Sequence, residues 1–349
     1  MTQMENPDLL TSSYDYELDP SLIAARPANP RDESKLLVYY AESDRVEHRV
    51  FRDLPEILQS GDQIVFNQSK VYPCRILGQK PTGAKAELFL LSLTPTEGLF
   101  PVMIKSNGKK NIGDKFLCNE LIFEIIKRGE EAVFWVGLSM SGAELYDYLE
   151  QVGNIPIPPY IREGKADDKD KEDYQTIYAK NTGSVAAPTA GLHFTEKLFN
   201  RLDERGISRA FVTLHVGMGT FRPVQAENIL EHKMHSETFE VDAENIAKIK
   251  QAQNRIAVGT TSLRVLESIY NDGQFDRLQG DTDIFLYPGI EVKSIGGLIT
   301  NFHLPKSTLL MLVSSLVGRE KTLELYNIAV EKRYRFYSYG DAMLILRNR

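Results

Sequence analysis

The histidines of this 349-residue chain are the side chains best suited to acid–base chemistry, and most of them occur in one stretch. Imidazole changes its charge near neutral pH, so a histidine beside a bound ligand can accept or donate a proton. Five of the six lie between residues 193 and 303: His193, His215, His232, His235 and His303. Each stands beside a turn marked by glycine or proline, where the backbone can come close to a ligand. The sequence therefore predicts a histidine-rich site built from turns.

The segment EHKMHSETF combines His232 and His235 with a carboxylate, Glu237. Together with His215, these two histidines could hold a metal ion. However, the spacing is not H-E-x-x-H and no further carboxylate spacing supports a metal, so we expect no metal site. General-base catalysis needs only one imidazole with a neighbouring carboxylate, and this interpretation is favoured.

The segment LHVGMGTF ends a predicted strand with a glycine-rich turn. Its residues Gly217, Gly219 and Thr220 could present backbone N–H groups to an anion or a ribose. The pattern is not G-x-G-x-x-G, and no acidic residue follows at the usual distance, so a dinucleotide site is not predicted. The alternative is a strand-ending turn beside a histidine of the core.

The segment AVGTTSLRVLES passes from a strand into a helix that we expect Ser262 to cap. Thr260 and Thr261 stand at this junction, where the N–H groups of a helix N-terminus favour anions. Arg264 follows and could clamp a carboxylate. The alternative is an ordinary capped turn with Arg264 in a surface ion pair.

Two further turns carry polar or aromatic side chains just before apolar elements, in ITNFHLPKSTLLMLVSS and RFYSYGDAMLIL. The candidates in them are Asn301, His303, Lys306, Tyr337, Tyr339 and Asp341. The alternatives are a loop that packs on the following helix and, for the aspartate, a simple turn residue.

The elements that must position these residues alternate between strands and helices after residue 180, which predicts an α/β core. Between residues 70 and 150, short β-like runs are separated by turn signals every 8 to 12 residues, which is typical of a small antiparallel barrel. We therefore predict a larger α/β catalytic domain (residues 1–69 and 151–349) with a small inserted antiparallel β-barrel domain (residues 70–150). The charged run REGKADDKDKED, residues 162–173, predicts a solvated loop.

Composition limits the partners and the compartment. The net charge is −7, so a nucleic acid would have to be held by a local basic patch, such as the loop KSNGKKNIGDK or the segments EKRYRF and RNR near the C-terminus. Two cysteines form no metal or disulfide pattern. No basic region with an apolar run opens the chain, and no apolar run reaches about 18 residues, so we expect a cytoplasmic protein with no membrane partner.

These segments together resemble one family nearly from end to end: the S-adenosylmethionine:tRNA ribosyltransferase-isomerases of queuosine biosynthesis. The similarity is carried by YDYELDPSLIAARPANPRDESKLLV, FRDLPEILQSGDQIVFN, SVAAPTAGLHFT, LHVGMGTFRPV, HKMHSE, VGTTSLRVLES, YPG, LITNFHLPKSTLLMLVSS and YRFYSYGDAMLI. Where the family commonly has NDTRVIPARL, this chain has NQSKVYPCRI, so no role is carried over to Gln68 or Lys70.

The resemblance implies a ribosyl transfer. The ribosyl group of S-adenosylmethionine would move onto 7-aminomethyl-7-deazaguanine (preQ1) at the tRNA wobble position, giving epoxyqueuosine, adenine and methionine. S-adenosylmethionine would be a substrate, so we expect no cofactor. The partner would be the anticodon loop of a tRNA and no DNA, and we expect a monomer.

The residue types suit that reaction. The sulfonium acidifies the adjacent C5′ hydrogens, so His193, His215 or His235 could remove one, with Glu237 to orient an imidazole. Asp341 or a second histidine could protonate the departing adenine. Arg264 could hold the methionine carboxylate, and the two threonines before it or the glycine turn could hold the ribose or the carboxylate. Tyr337 and Tyr339 could stack on a base.

Three rival functions come from other classes. A metal-dependent hydrolase would use His215, His232 and His235, and bound zinc would favour it. A non-catalytic RNA-binding module would bind RNA without turnover. An S-adenosylmethionine methyltransferase is a third, but its glycine-rich first βα turn is missing.

Overall fold

The computed structural model describes residues 6–130, 132–217 and 224–349. Its strands are β1 Lys35–Tyr40, β2 Arg45–Val50, β3 Asp62–Asn67, β4 Ser69–Val71, β5 Arg75–Gln79, β6 Lys85–Leu90, β7 Phe100–Ser106, β8 Lys115–Cys118, β9 Leu121–Arg128, β10 Val133–Leu138, β11 Asn181–Ser184, β12 Ser208–Leu214, β13 Glu237–Glu240, β14 Asn254–Val258, β15 Tyr270–Asn271, β16 Gln274–Phe275, β17 Gln279–Thr282, β18 Gly297–Asn301 and β19 Ala342–Leu346.

The α-helices of the same residues are α1 Leu54–Ile57, α2 Gly142–Val152, α3 Asp170–Asp173, α4 Glu196–Glu204, α5 Ala243–Gln251, α6 Gly259–Ile269, α7 Thr308–Val317 and α8 Arg319–Glu331. Short 3-10 helices add turns, among them Arg162–Gly164 and Thr189–His193. Thr195 caps α4 as its sequence predicts, because its hydroxyl accepts from the N–H of Leu198 at 3.1 Å.

One large mixed sheet organises the chain. Among the described residues it has nine strands in the order β17-β13-β12-β3-β14-β18-β19-β1-β2. Strands β12, β3, β14 and β18 run parallel, β19 and β1 run the opposite way, and β2 returns antiparallel to β1. The carboxyl ends of the first four and the amino ends of β19 and β1 therefore share one edge, which we call the upper edge. Ligands of open α/β sheets bind beyond the carboxyl ends of parallel strands.

Both faces of this sheet are covered, which is why its central strands carry consecutive apolar residues, such as Ile64, Val65 and Phe66 of β3. In β3, Ile64 and Phe66 point to a core that includes residues of α1 and α4, while Val65 points to the opposite core with α5, α6, α7 and α8. This alternation follows from the two-residue period of a strand.

A closed barrel of six antiparallel strands, in the order β10-β7-β6-β5-β8-β9, stands beside the large sheet. It has its own core, and Leu145 and Leu149 of α2 join that core. The predicted fold class, α/β with a small antiparallel barrel, is confirmed. The assignment of domain limits at residues 70 and 150 stays a prediction.

The charged run at residues 162–173 is only in part the solvated loop that its composition predicts, because seven of its twelve residues are exposed but the run is not structureless. It contains a 3-10 turn and α3, and Asp170 is fully buried within it. The Asp170 carboxylate accepts hydrogen bonds from Arg26, Arg162 and the hydroxyl of Tyr339. Long-range partners, which sequence spacing does not reveal, order the segment.

Two local expectations are also corrected. Helix α6 begins at Gly259, three residues before the predicted cap Ser262, whose hydroxyl instead donates to Val258 O at 2.8 Å. The apolar run of the segment TDIFLYPG predicts a strand, but β17 ends at the first residue of that segment, Thr282. In the part of the chain that the structure describes, no helix is both long and apolar enough to cross a membrane.

Candidate active site

A cavity of about 330 Å³ opens at the upper edge, where β14 and β18 end. Its walls come from the segment after β11, the first turn of α6, the segment after β18 and the turn before β19. The lining residues are Pro159, Tyr160, Ala186, Ala187, Pro188, Thr189, Ala190, Val216, Gly259, Thr260, Thr261, Thr300, Asn301, Phe302, His303, Leu304, Pro305, Ser307, Leu309, Tyr337 and Ser338. Five residues singled out from the sequence are among them: Thr260, Thr261, Asn301, His303 and Tyr337.

The lining combines apolar surface with hydroxyl and amide groups. Among the described residues that form it, none is an Asp, Glu, Lys or Arg. A ligand in this cavity is therefore shielded from water without meeting a fixed side-chain charge. Such a site suits a ligand whose own charges are met by dipoles and aromatic faces.

The first turn of α6 supplies one of these dipoles. Gly259 opens the helix with φ +83°, a left-handed conformation that favours glycine, and no side chain caps the N-terminus. Thr261 is 8% exposed, and its hydroxyl has no hydrogen-bond partner in the described structure. Unpaired N–H groups at a helix N-terminus attract anions.

Arg264 lies one turn further along α6 and is buried in an ion pair. Its guanidinium donates to Glu237 on β13, and also to Thr282 O at 3.4 Å. The other carboxylate oxygen of Glu237 accepts from the N–H of Gly217 at 2.8 Å. The pair thus ties α6 to the start of the glycine-rich turn, whose Gly219 and Thr220 lie outside the described residues.

His193 lies behind the cavity wall. Its ring stacks on Phe51 with centroids 4.8 Å apart, and its Nδ1 is 2.8 Å from the hydroxyl of Ser34. Burial lowers the pKa of His193 to about 4, although the Asp341 carboxylate and the Asn301 side chain act in the opposite direction. Asn301 separates the ring from the cavity and donates to Tyr337 O at 2.9 Å. Nε2 of His193 and Oδ1 of Asn301 both lack a hydrogen bond in the described structure.

His303 is itself one of the residues that line the cavity. Its Nε2 is 2.8 Å from the hydroxyl of Thr300, and its backbone N–H donates to the hydroxyl of Tyr326 at 3.0 Å. Burial lowers the pKa of His303 to about 3, so the ring is neutral at pH 7. A neutral imidazole can accept a proton or a hydrogen bond.

Two tyrosines form an aromatic wall. The rings of Tyr160 and Tyr337 lie 4.8 Å apart, and the Tyr160 hydroxyl is 2.7 Å from Ser338 Oγ. Tyr160 and Ser338 are functional candidates that the sequence analysis missed. The Tyr160 segment lacks a glycine-rich turn, and its only signal was its place just before the charged run.

Three predicted residues are not part of the cavity lining, because each is held in a contact elsewhere. Tyr339 packs edge-on against Tyr174 and donates to Asp170 at 3.0 Å. Asp341 accepts from the backbone N–H of Lys35 at 3.0 Å, from the backbone N–H of Arg335 at 2.8 Å and from the Arg335 guanidinium at 3.1 Å. Lys306 forms an ion pair with Asp15 at 2.7 Å.

The other predicted histidines, His215, His232 and His235, are not among the residues that line the cavity. His215 packs against Gly183, where a side chain would clash with its ring, and its neighbour Val216 reaches the lining. Burial lowers the pKa of His215. His232 lies 5.6 Å from Phe285 between ring centroids, and His235 is exposed. An i, i+3 spacing would place His232 and His235 on one face of a helix, but both stand outside regular helix.

Across residues 6–130, 132–217 and 224–349, no three or more His, Cys, Asp or Glu side chains converge in a way that could hold a metal ion. Both cysteines, Cys74 and Cys118, are buried in the barrel core.

Comparison with known proteins identifies close relatives over the whole length. A family model described as "Queuosine biosynthesis protein" matches residues 11–345. Proteins named S-adenosylmethionine:tRNA ribosyltransferase-isomerase from Thermosipho africanus and Clostridioides difficile are each 46% identical, over 96% of this chain and 99% of theirs. The crystal structure of an S-adenosylmethionine tRNA ribosyltransferase from Thermotoga maritima aligns with a TM-score of 0.55 and 34% identity, covering 96% of this chain and all of that one.

Proposed function

Since the chain belongs to the S-adenosylmethionine:tRNA ribosyltransferase-isomerase family of queuosine biosynthesis, we propose that the upper-edge cavity performs that reaction. The enzyme transfers and isomerises the ribosyl group of S-adenosylmethionine onto 7-aminomethyl-7-deazaguanine at the tRNA wobble position. The products are epoxyqueuosine in the tRNA, adenine and methionine. The observation that carries this proposal is the position of five family-motif residues around one cavity at the carboxyl ends of parallel strands.

The cavity chemistry matches the charges of S-adenosylmethionine. Its sulfonium is a cation, which the faces of Tyr160 and Tyr337 can attract without a carboxylate. Its methionine carboxylate is an anion, which the first turn of α6 and the Thr261 hydroxyl can receive. We assign the carboxylate to this turn rather than to Arg264, because Glu237 already balances the Arg264 charge.

The proton chemistry needs a base near C5′ and an acid near the adenine. The sulfonium acidifies the C5′ hydrogens, so a neutral imidazole can serve as the base. Among the described residues, His303 is the histidine that lines the cavity, and its ring is neutral at pH 7. We therefore place His303 ahead of His193 and His215 as the group that meets the substrate. His193 would act on the ligand through Asn301.

The partners follow from the same reaction. The wobble base lies in a single-stranded loop, whose unstacked bases can enter a cavity. S-adenosylmethionine is consumed as a substrate, and we propose no resident cofactor. We also propose that the enzyme acts as a monomer in the cytoplasm.

The experiment is an adenine-release assay with the purified protein, S-adenosylmethionine and tRNA that carries the aminomethyl-deazaguanine base. Free adenine, followed by chromatography, should appear only with the modified tRNA, and tRNA with unmodified guanine is the control. Methyl transfer would instead give S-adenosylhomocysteine in the same chromatogram. Absence of adenine together with absence of tRNA binding would reject the proposal.

A further inference from the structure

A second concave surface lies on the upper edge, on the far side of β19 and β1 from the cavity. It encloses about 370 Å³. Its lining residues are Lys35, His48, Arg49, Val50, Asp53, Lys332 and Tyr334, and we call it the β1–β2 groove. The segment EKRYRF, which contains Lys332 and Tyr334, is one of the basic patches that the sequence offers to RNA, and the ribosyl-transfer chemistry leaves all the lining residues unused.

Strand register places the groove on the same edge as the cavity. Asn301, which lines the cavity, pairs with Ala342 at the start of β19. Ala342 pairs with Leu36 of β1, and Lys35 pairs with Val50 at the end of β2. The cavity and the groove are thus three strand spacings apart, roughly 14 Å along the upper edge.

The groove carries positive charge that is held in place. Lys35 Nζ donates to the carbonyls of Lys332 and Arg333 at 3.1 Å each, and it lies 5.2 Å from the centre of the Tyr334 ring. Lys332 is exposed and forms no ion pair among the described residues. Nδ1 of His48 is 2.8 Å from the Tyr334 hydroxyl.

The acidic groups near the groove have other partners. Asp53 accepts the N–H of Val50 at 3.1 Å, and Arg49 forms an ion pair with Glu47 at 2.8 Å. Partial burial lowers the pKa of His48, and the charges of Lys332 and Lys35 lower it further. Because Arg49 is balanced by Glu47, the lining keeps two lysines, Lys35 and Lys332, against the single carboxylate of Asp53, so the groove is net positive in a chain whose net charge is −7.

We propose that the β1–β2 groove binds a backbone phosphate of the tRNA whose wobble base enters the cavity. This inference rests on the proposed function, because it requires a tRNA substrate. Phosphate contacts orient a nucleic acid while contacts to a base select it. A cationic groove within a few nucleotides of the cavity would hold the strand while the wobble base is inserted. An acidic protein needs such a local contact to bind RNA.

The test is the charge reversal Lys332→Glu, with Lys250→Glu as the matched control. Both lysines are exposed and stand at the C-terminal end of a helix. Both changes therefore replace a positive charge by a negative one at the negative end of a helix dipole. Lys250 precedes the amino end of β14 and thus lies toward the opposite edge of the sheet. Lys332→Ala removes the charge without reversing it.

For Lys332→Glu we expect the KM for modified tRNA and the Kd for tRNA, measured by fluorescence anisotropy, to rise about tenfold. The slope of log binding constant against log salt concentration should become shallower by about one. Lys332→Ala should show a smaller change in the same direction. The KM for S-adenosylmethionine should stay unchanged, and Lys250→Glu should behave as wild type in every measurement.

Wild-type KM, Kd and salt slope in Lys332→Glu would overturn the groove proposal, as would equal losses in Lys250→Glu. A loss on Lys109→Glu in the barrel loop, with none at Lys332, would also overturn it and place the RNA on the barrel. These outcomes are distinct from failure of the proposed function, in which wild-type protein itself would neither bind tRNA nor release adenine.

Discussion

Arg264 and Glu237 form a buried ion pair that joins the helix lining the cavity to the start of the glycine-rich turn. Arg264 is 5% exposed and Glu237 is 6% exposed, so neither charge is screened by water. Removing Glu237 leaves the Arg264 guanidinium buried without its carboxylate, which costs about 3–5 kcal/mol.

The first prediction concerns this pair. Glu237→Leu should lower the free energy of unfolding by about 3–5 kcal/mol in urea denaturation, because the Arg264 charge stays buried without its carboxylate. The double variant Glu237→Leu with Arg264→Met should regain most of that stability, because the Arg264 charge is no longer buried. The double variant should still lose adenine release, since the N–H of Gly217 no longer has its carboxylate. Full activity of the double variant would contradict a positioning role for the pair.

The second prediction concerns the Thr261 hydroxyl, which has no hydrogen-bond partner in the described structure. Thr261→Val replaces it with a methyl group of similar size, so the free energy of unfolding should stay unchanged or rise by about 1 kcal/mol. The KM for S-adenosylmethionine should rise about tenfold, because the ligand carboxylate loses a donor. Thr261→Ser, which keeps the hydroxyl, should retain a KM near wild type. Wild-type KM in Thr261→Val would place the carboxylate elsewhere.

The third prediction concerns the aromatic wall. Tyr337→Ala removes the ring that faces Tyr160, and we expect the KM for S-adenosylmethionine to rise about tenfold through the lost cation–π contact. Burial raises the pKa of the Tyr337 hydroxyl to about 12, so the group stays protonated throughout the assay range. Tyr337→Phe keeps the ring and should bind S-adenosylmethionine almost as well. Equal losses in both variants would assign the role to the hydroxyl instead.

The fourth prediction is a pH dependence of stability from His193. Its pKa is about 4 in the folded protein against 6.5 for an ordinary histidine, so the unfolded chain binds more protons between these values. Stability from this group is therefore complete above about pH 6.5 and is lost as the pH falls toward 4. The maximum slope is about 1.4 kcal/mol per pH unit.

His193→Gln, which cannot gain this proton, is the test. Urea denaturation at a series of pH values between 4 and 6.5 should show a shallower pH slope for the variant than for wild type. The comparison uses slopes, so any constant loss of stability in the variant cancels. Parallel slopes would show that His193 titrates normally in the folded protein.

Much of the architecture follows from local sequence patterns. Strand–helix alternation predicted the α/β core, and regular turns between short apolar runs predicted the barrel, because both patterns reflect which side chains must be buried. Thr195 was recognised as a helix cap for a similar reason, since its hydroxyl bonds within the next three residues. Local patterns did not predict the structure of the charged run. Its Asp170 is buried against Arg162 and against Arg26, and Arg26 is distant in the sequence.

For the candidate site, the sequence by itself determined which turns carry polar groups at strand ends. It placed Thr260, Asn301 and Tyr337 in such turns, and the structure brings these turns to one cavity. Only the tertiary structure decided which side chains reach that cavity. Arg264 turns to Glu237, and His193 lies behind Asn301, because the partner of each comes from a distant strand or turn. Spacing along the chain determines which side chains share one face of a helix or strand. Packing between the elements determines which residues that face contacts.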